Sequence, residues 1–88
     1  MPTVPSTTVQ GIPAAKIFDG VAVPCPIKHT QIVRRWQLLP VGDYFVLVND
    51  HDPAGIHGQL DDSFHGCFRW TYLEQGPDVF AVRIDKLS

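Results

Sequence analysis

The sequence predicts an α/β chain, more narrowly an α+β two-layer sandwich. Its expected order is β-α-β-α-β-β, with two helices packed on a four-stranded mixed sheet. Three stretches carry that prediction. Tyr44-Phe45-Val46-Leu47-Val48-Asn49 is an apolar run without clean alternation, as expected of a strand covered on both faces. Ile32, Val33, Trp36 and Leu39 recur at helical spacing behind a proline. Phe68, Trp70 and Tyr72 alternate with Arg69, Thr71 and Leu73, and Phe80, Val82 and Ile84 repeat the pattern after Gln75-Gly76-Pro77-Asp78.

Residues 1–13 hold three prolines, several Ser and Thr and one glycine, and read as a mobile arm. Residues 14–88 read as one domain. Residues 14–18 are short and apolar and are expected to form the first strand, ended by Asp19-Gly20. Pro26 suits the first position of a helix, where no amide donor is needed, so the first helix is expected over residues 26–39 with Cys25 as its N-cap residue. Pro40-Val41-Gly42-Asp43 stops it. Tyr44–Asn49 is the second strand. Asp52 is a good N-cap residue and Pro53 a good first helical residue, so a second helix is expected from there, with Ile56, Leu60 and Phe64 as its apolar stripe. Gly55 and Gly58 weaken that helix by ~1 kcal/mol each relative to alanine. Residues 68–73 and 79–84 are the third and fourth strands. A crossover through the first helix makes strands one and two parallel, and the tight turn makes strands three and four antiparallel.

At 88 residues the chain has room for one small domain with a modest core. A net charge of -2 and a pI near 6.0 argue against a nucleic-acid binder, which carries a basic patch. No apolar run approaches the ~20 residues of a membrane span. The start has neither a basic nor an apolar signal region, so a cytoplasmic location is expected. In that compartment Cys25 and Cys67 are expected to be reduced thiols.

The parallel pairing brings two connections to one edge of the sheet. The first carries Cys25 and His29; the second carries Asp50, His51 and Asp52. Open α/β sheets place their ligands at such strand ends. Cys25 reads either as a small buried hydrophobe or as a thiolate activated by a helix N-terminus. His29 and His51 read either as rings bonded to the backbone or as a ligand pair suited to a transition metal, with Cys25 as a third donor. Asp50 or Asp52 would orient an imidazole, and for Asp52 the capping role is explanation enough. The His51 ring is expected to be held by a hydrogen bond to Asp50. His57 is expected at the edge of the second helix's stripe and exposed, His65 and Cys67 as incidental loop residues, and Trp36 and Trp70 as core aromatics. There is no Ser-His-Asp triad, P-loop or dinucleotide fingerprint.

Val48-Asn49-Asp50-His51-Asp52-Pro53, the Lys28-His29 pair, Trp70-Thr71-Tyr72-Leu73-Glu74-Gln75-Gly76-Pro77 and Val79-Phe80-Ala81-Val82-Arg83-Ile84 resemble the domain-of-unknown-function family 2249. The resemblance covers roughly residues 17–86. It implies a TusA/SirA-like fold, whose element order agrees with the one read above. It further implies an accessory, non-catalytic role in redox or metal metabolism, in the setting of nitrogen-oxide chemistry, beside a hemerythrin-like or other redox protein. A transition metal or haem is the cofactor class such a role implies. The sulfur-carrier branch of that fold has a Cys-Pro-x-Pro motif at the head of its first helix. Asp19, Cys25, Pro26 and Gly42 keep its spacings, while Lys28 replaces the second proline. The expected site is therefore Cys25, Lys28, His29, Asn49, Asp50, His51 and Asp52, with His29, His51 and Cys25 as metal donors. The alternatives are a sulfur-relay carrier, with Cys25 bearing a persulfide for a sulfur-transfer partner, and an interaction domain with no small ligand. Neither nucleic acid nor membrane is expected as a partner.

Overall fold

A computed structural model describes residues 11–23 and 25–88; the side chains of Ala22, Cys25 and Pro26 lie outside what it describes. Residues 1–10 also lie outside it, so the mobile arm expected there is not among the described residues. The elements are β1 (Ile17–Asp19), α1 (Cys25–Leu38), β2 (Tyr44–Asn49), α2 (Ala54–Phe64), β3 (Phe68–Gln75) and β4 (Phe80–Lys86). This is the expected order, with two helices on a four-stranded mixed sheet. Short 3-10 turns, Ala14–Lys16 and Gly20–Ala22, flank β1. The first of them takes residues expected in the strand, and Lys16 N donates to Pro13 O to close it.

The sheet order is β1-β2-β4-β3. β1 runs parallel to β2, with Phe18 opposite Leu47, and β2 runs antiparallel to β4, with Leu47 opposite Val82. The β3–β4 pairing is antiparallel and shifts register between Tyr72 and Glu74, which leaves Leu73 in a bulge. β4 is thus inserted between β2 and β3, and β2 is interior. β2 is buried on both faces and β3 on one, which is why β2 lacks clean alternation while β3, an edge strand, alternates.

Alternate residues of β2 face two apolar clusters. On the helix side Phe45 and Leu47 pack with Ile32 and Trp36 of α1, Ile56 and Leu60 of α2, and Val82 and Ile84 of β4. On the other side Val46, Val48 and Ala81 are covered by Ile12, Ile17, Tyr44 and Val79. Trp36 also donates its indole N–H to Asp85 O at 3.3 Å. Gly42 ends the α1–β2 connection at φ 93°, a left-handed value that glycine adopts at no steric cost, and its N–H donates to Lys86 O. No helix among the described residues is long and apolar enough to cross a membrane.

Candidate functional site

The parallel β1–β2 pair sends both connections, and the N-termini of both helices, to the carboxyl edge of the sheet. α1 begins at Cys25, which is its first residue and not the expected cap. Lys28 therefore lies in the first turn, beside the positive end of the helix dipole. It is 5% exposed, and its Nζ donates to Asn49 Oδ1 at 3.0 Å. Asn49, 1% exposed at the last position of β2, donates its Nδ2 to His51 O at 3.3 Å. An ammonium is thus buried against a neutral amide, with no carboxylate among the described residues in salt-bridge contact. Gly20 permits this approach: a Cβ there would stand 2.9 Å from Val48 O and 3.1 Å from Asn49 Oδ1.

The next two residues project into solvent. His51 Nδ1 lies 2.7 Å from Asp50 Oδ1, as expected, but both side chains are 61% exposed. That hydrogen bond is the chief cause holding the Asp50 carboxyl below its ordinary pKa; desolvation opposes it, and the Lys28 charge adds a small pull. An ionised carboxylate only accepts, so Nδ1 carries the proton in this bond, and in the neutral tautomer that arrangement leaves the lone pair on Nε2. His29 is similarly tethered, with Nδ1 3.2 Å from Gln59 Oε1 of α2. Its ring packs on the first turn of α2, where a Cβ on Gly55 would meet Cε1 at 3.3 Å.

Asp52 departs from the expectation. The N-cap position of α2 belongs to Pro53, whose carbonyl accepts from Ile56 N and His57 N, and no side chain caps the helix. Asp52 Oδ1 instead accepts from the Tyr72 hydroxyl at 2.7 Å, tying the corner after β2 to the edge strand β3. Desolvation, then this bond, raise the Tyr72 pKa. The Trp70 indole N–H lies near enough to the same hydroxyl to pull slightly the other way, yet it is buried and makes no hydrogen bond to a described residue. Trp70 is half-buried against the helix-side core, with the exposed His57 ring stacked on it at 4.6 Å and 14°. Neither Tyr72 nor Gln59 is visible as a site residue in the sequence, because each joins through packing between elements that are remote in the chain.

The fold thus links Lys28, Asn49, Asp50 and His51 in one chain of contacts, holds His29 on α2, and turns Asp52 to Tyr72. The Cys25 side chain is outside the described residues. Among the described residues no group of three or more His, Cys, Asp or Glu side chains stands together to hold a metal ion, so the described residues do not by themselves make the expected metal site.

No curated protein and no solved structure matches the chain. The family model described as an uncharacterized conserved protein (DUF2249) matches residues 17–86. That span runs from the first residue of β1 to the last of β4 and takes in every residue of the strand-end site, and on it the chain belongs to the DUF2249 family.

Proposed function

We propose that the chain is a non-catalytic accessory binding module of redox metabolism, and that its ligand is a small anion received at the carboxyl ends of β1 and β2. The observation that carries this reading is the buried Lys28 ammonium, which spends one of its three N–H donors on the neutral Asn49 amide. It stands in the first turn of α1, where the helix dipole also favours negative charge. His29 and His51, each tethered through Nδ1, offer further ring nitrogens to an oxyanion when protonated, or Nε2 lone pairs to a metal when neutral. Nitrite is the first probe, because it is an oxyanion of the nitrogen-oxide chemistry that the family resemblance suggests.

The test is calorimetric titration of the purified chain with nitrite, sulfate and phosphate, and separately with copper, zinc, nickel, iron and haem. Anion binding that is lost in Lys28→Met/Asn49→Leu and weakened in His29→Ala/His51→Ala supports the assignment. Metal or haem binding without anion binding, abolished by the histidine double variant, replaces it with the metal reading.

A sulfur relay is favoured by one feature: Cys25 opens α1, and Lys28 follows it within the first turn, a setting that stabilises a thiolate or persulfide anion. Incubation with a cysteine desulfurase and cysteine should then add one sulfur, about 32 Da, to Cys25 and none to Cys67. An unmodified Cys25 removes this reading.

A further inference from the structure

α1 buries Ile32 and Trp36, and its outer face is unpartnered among the described residues. Ile27, Gln31, Arg34 and Leu38 follow one another at i, i+4, i+7 and i+11, so they share one face. Ile27 is 46% exposed and Leu38 75% exposed. Gln31, Arg34, Arg35 and Leu38 form, with Phe18 of β1, a groove of about 300 Å³. The apolar part of its wall is Phe18, Leu38 and side-chain stems.

The two guanidinium groups in that wall differ. Arg35 is fixed: it donates to Ala15 O and lies over the Phe45 and Phe18 rings at 5.3 Å and 6.0 Å. Arg34 is exposed and has no hydrogen bond, ion pair or ring contact with a described residue. No carboxylate lines the groove among the described residues. The chain as a whole carries -2, so this patch is cationic against the net charge of the molecule.

From this complementarity we infer that the outer face of α1 docks an acidic, apolar segment of a partner protein, with an apolar side chain seated between Phe18 and Leu38 and a carboxylate on Arg34. The apolar positions run from Ile27 to Leu38, roughly 16 Å at 1.5 Å per residue. That length matches about three turns of a helix, whereas a small carboxylate would use only the groove itself. Carboxylates flanking the apolar anchor would be recognised bidentately by Arg34, which no described residue holds. The surface shares no residue with the strand-end site, and its test does not depend on the ligand proposed there.

The test is amide-resolved NMR titration of the full chain with two blocked peptides about three helical turns long, Glu-Leu-Leu-Glu-Glu-Leu-Leu-Glu-Glu-Leu-Leu-Glu and its Lys-for-Glu counterpart. The acidic peptide should shift the Gln31, Arg34, Arg35 and Leu38 amides saturably, and the basic one should bind at least roughly tenfold more weakly. Arg34→Glu should reverse that order while leaving the melting temperature unchanged, because Arg34 makes no hydrogen bond, ion pair or ring contact with a described residue that it would release. Leu38→Glu should abolish binding of the acidic peptide. The inference is overturned if neither peptide perturbs these amides, if both do so equally, or if Arg34→Glu leaves the preference intact. Saturation of the groove by octanoate, with no response to the acidic peptide, would assign it to a small amphipathic acid instead.

Discussion

Lys28 and Asn49 are partners, but removing one is not equivalent to removing the other. Asn49→Leu leaves a buried ammonium with no acceptor among the described residues, a loss of about 3 kcal/mol. Lys28→Met keeps the aliphatic stem and leaves only a neutral amide oxygen short of a donor, which costs about 1–2 kcal/mol. Replacing both removes the mismatch, so the double variant should lie closer to wild type than Asn49→Leu does. Urea melts of the three variants check the order, and an additive double variant would mean that the two groups are not coupled. Gly20→Ala tests the same corner sterically. Its Cβ would meet the Val48 carbonyl of an interior strand at 2.9 Å, so β2 or the turn must shift, at about 1–3 kcal/mol. The sequence shows His29, Asp50 and His51 as polar groups at strand ends, because strand and helix boundaries place them there. It does not show that Lys28 is the buried one. That depends on which face of the first helical turn meets the end of β2, a matter of one residue in helix phase.

At the scale of elements, α2 carries two glycines whose surroundings differ. A Cβ on Gly58 meets nothing within 4 Å, so Gly58→Ala should gain most of the helix propensity of alanine, about 0.5–1 kcal/mol, or a rise in melting temperature of several degrees. Gly55→Ala has the same intrinsic gain, but its Cβ would stand 3.3 Å from His29 Cε1. The ring must give way and loosen its bond to Gln59, so the net gain should be smaller, and the His29 ring resonances should move only in this variant. Thermal melts with ring-proton NMR separate the two. The helices and β2 were legible because their apolar spacing repeats over several turns or residues. The cap of α2 was not. Asp52 has a cap residue's chemistry, but the Tyr72 hydroxyl across the sheet takes its carboxylate and leaves the helix start to backbone bonds from Pro53. The position of β4 between β2 and β3 was equally hidden, since alternation marks a strand without saying which neighbour it takes.

The whole molecule should show a stability profile bounded by three of its tethers. Asp43 accepts from Lys16 Nζ, which chiefly holds its carboxyl below the ordinary range, and from Tyr44 N; this pins the turn before β1 to the head of β2. Asp50 is depressed mainly by His51. A depressed folded pKa contributes stability above the unfolded value of about 3.9, and that contribution is lost as pH falls through the folded value. Both effects therefore belong below about pH 4, and both are screened because the groups are solvent-accessible. Tyr72 has the opposite sign. Its folded pKa is raised, so its contribution is complete below about pH 10 and is lost as pH rises through the folded value. These three groups add no slope between about pH 5 and 9. Melting temperatures measured from pH 2.5 to 11.5 should show an acid limb that becomes shallower in Asp43→Asn and in Asp50→Asn, and an alkaline limb that becomes shallower in Tyr72→Phe. At pH 7 Tyr72→Phe should cost less than about 1 kcal/mol, because its bond to Asp52 is exposed. An alkaline limb that survives unchanged in Tyr72→Phe would mean that the tether between β3 and the corner after β2 does not hold in solution. The Asp52 carboxylate would then be free to join Asp50 and His51 at the strand-end site.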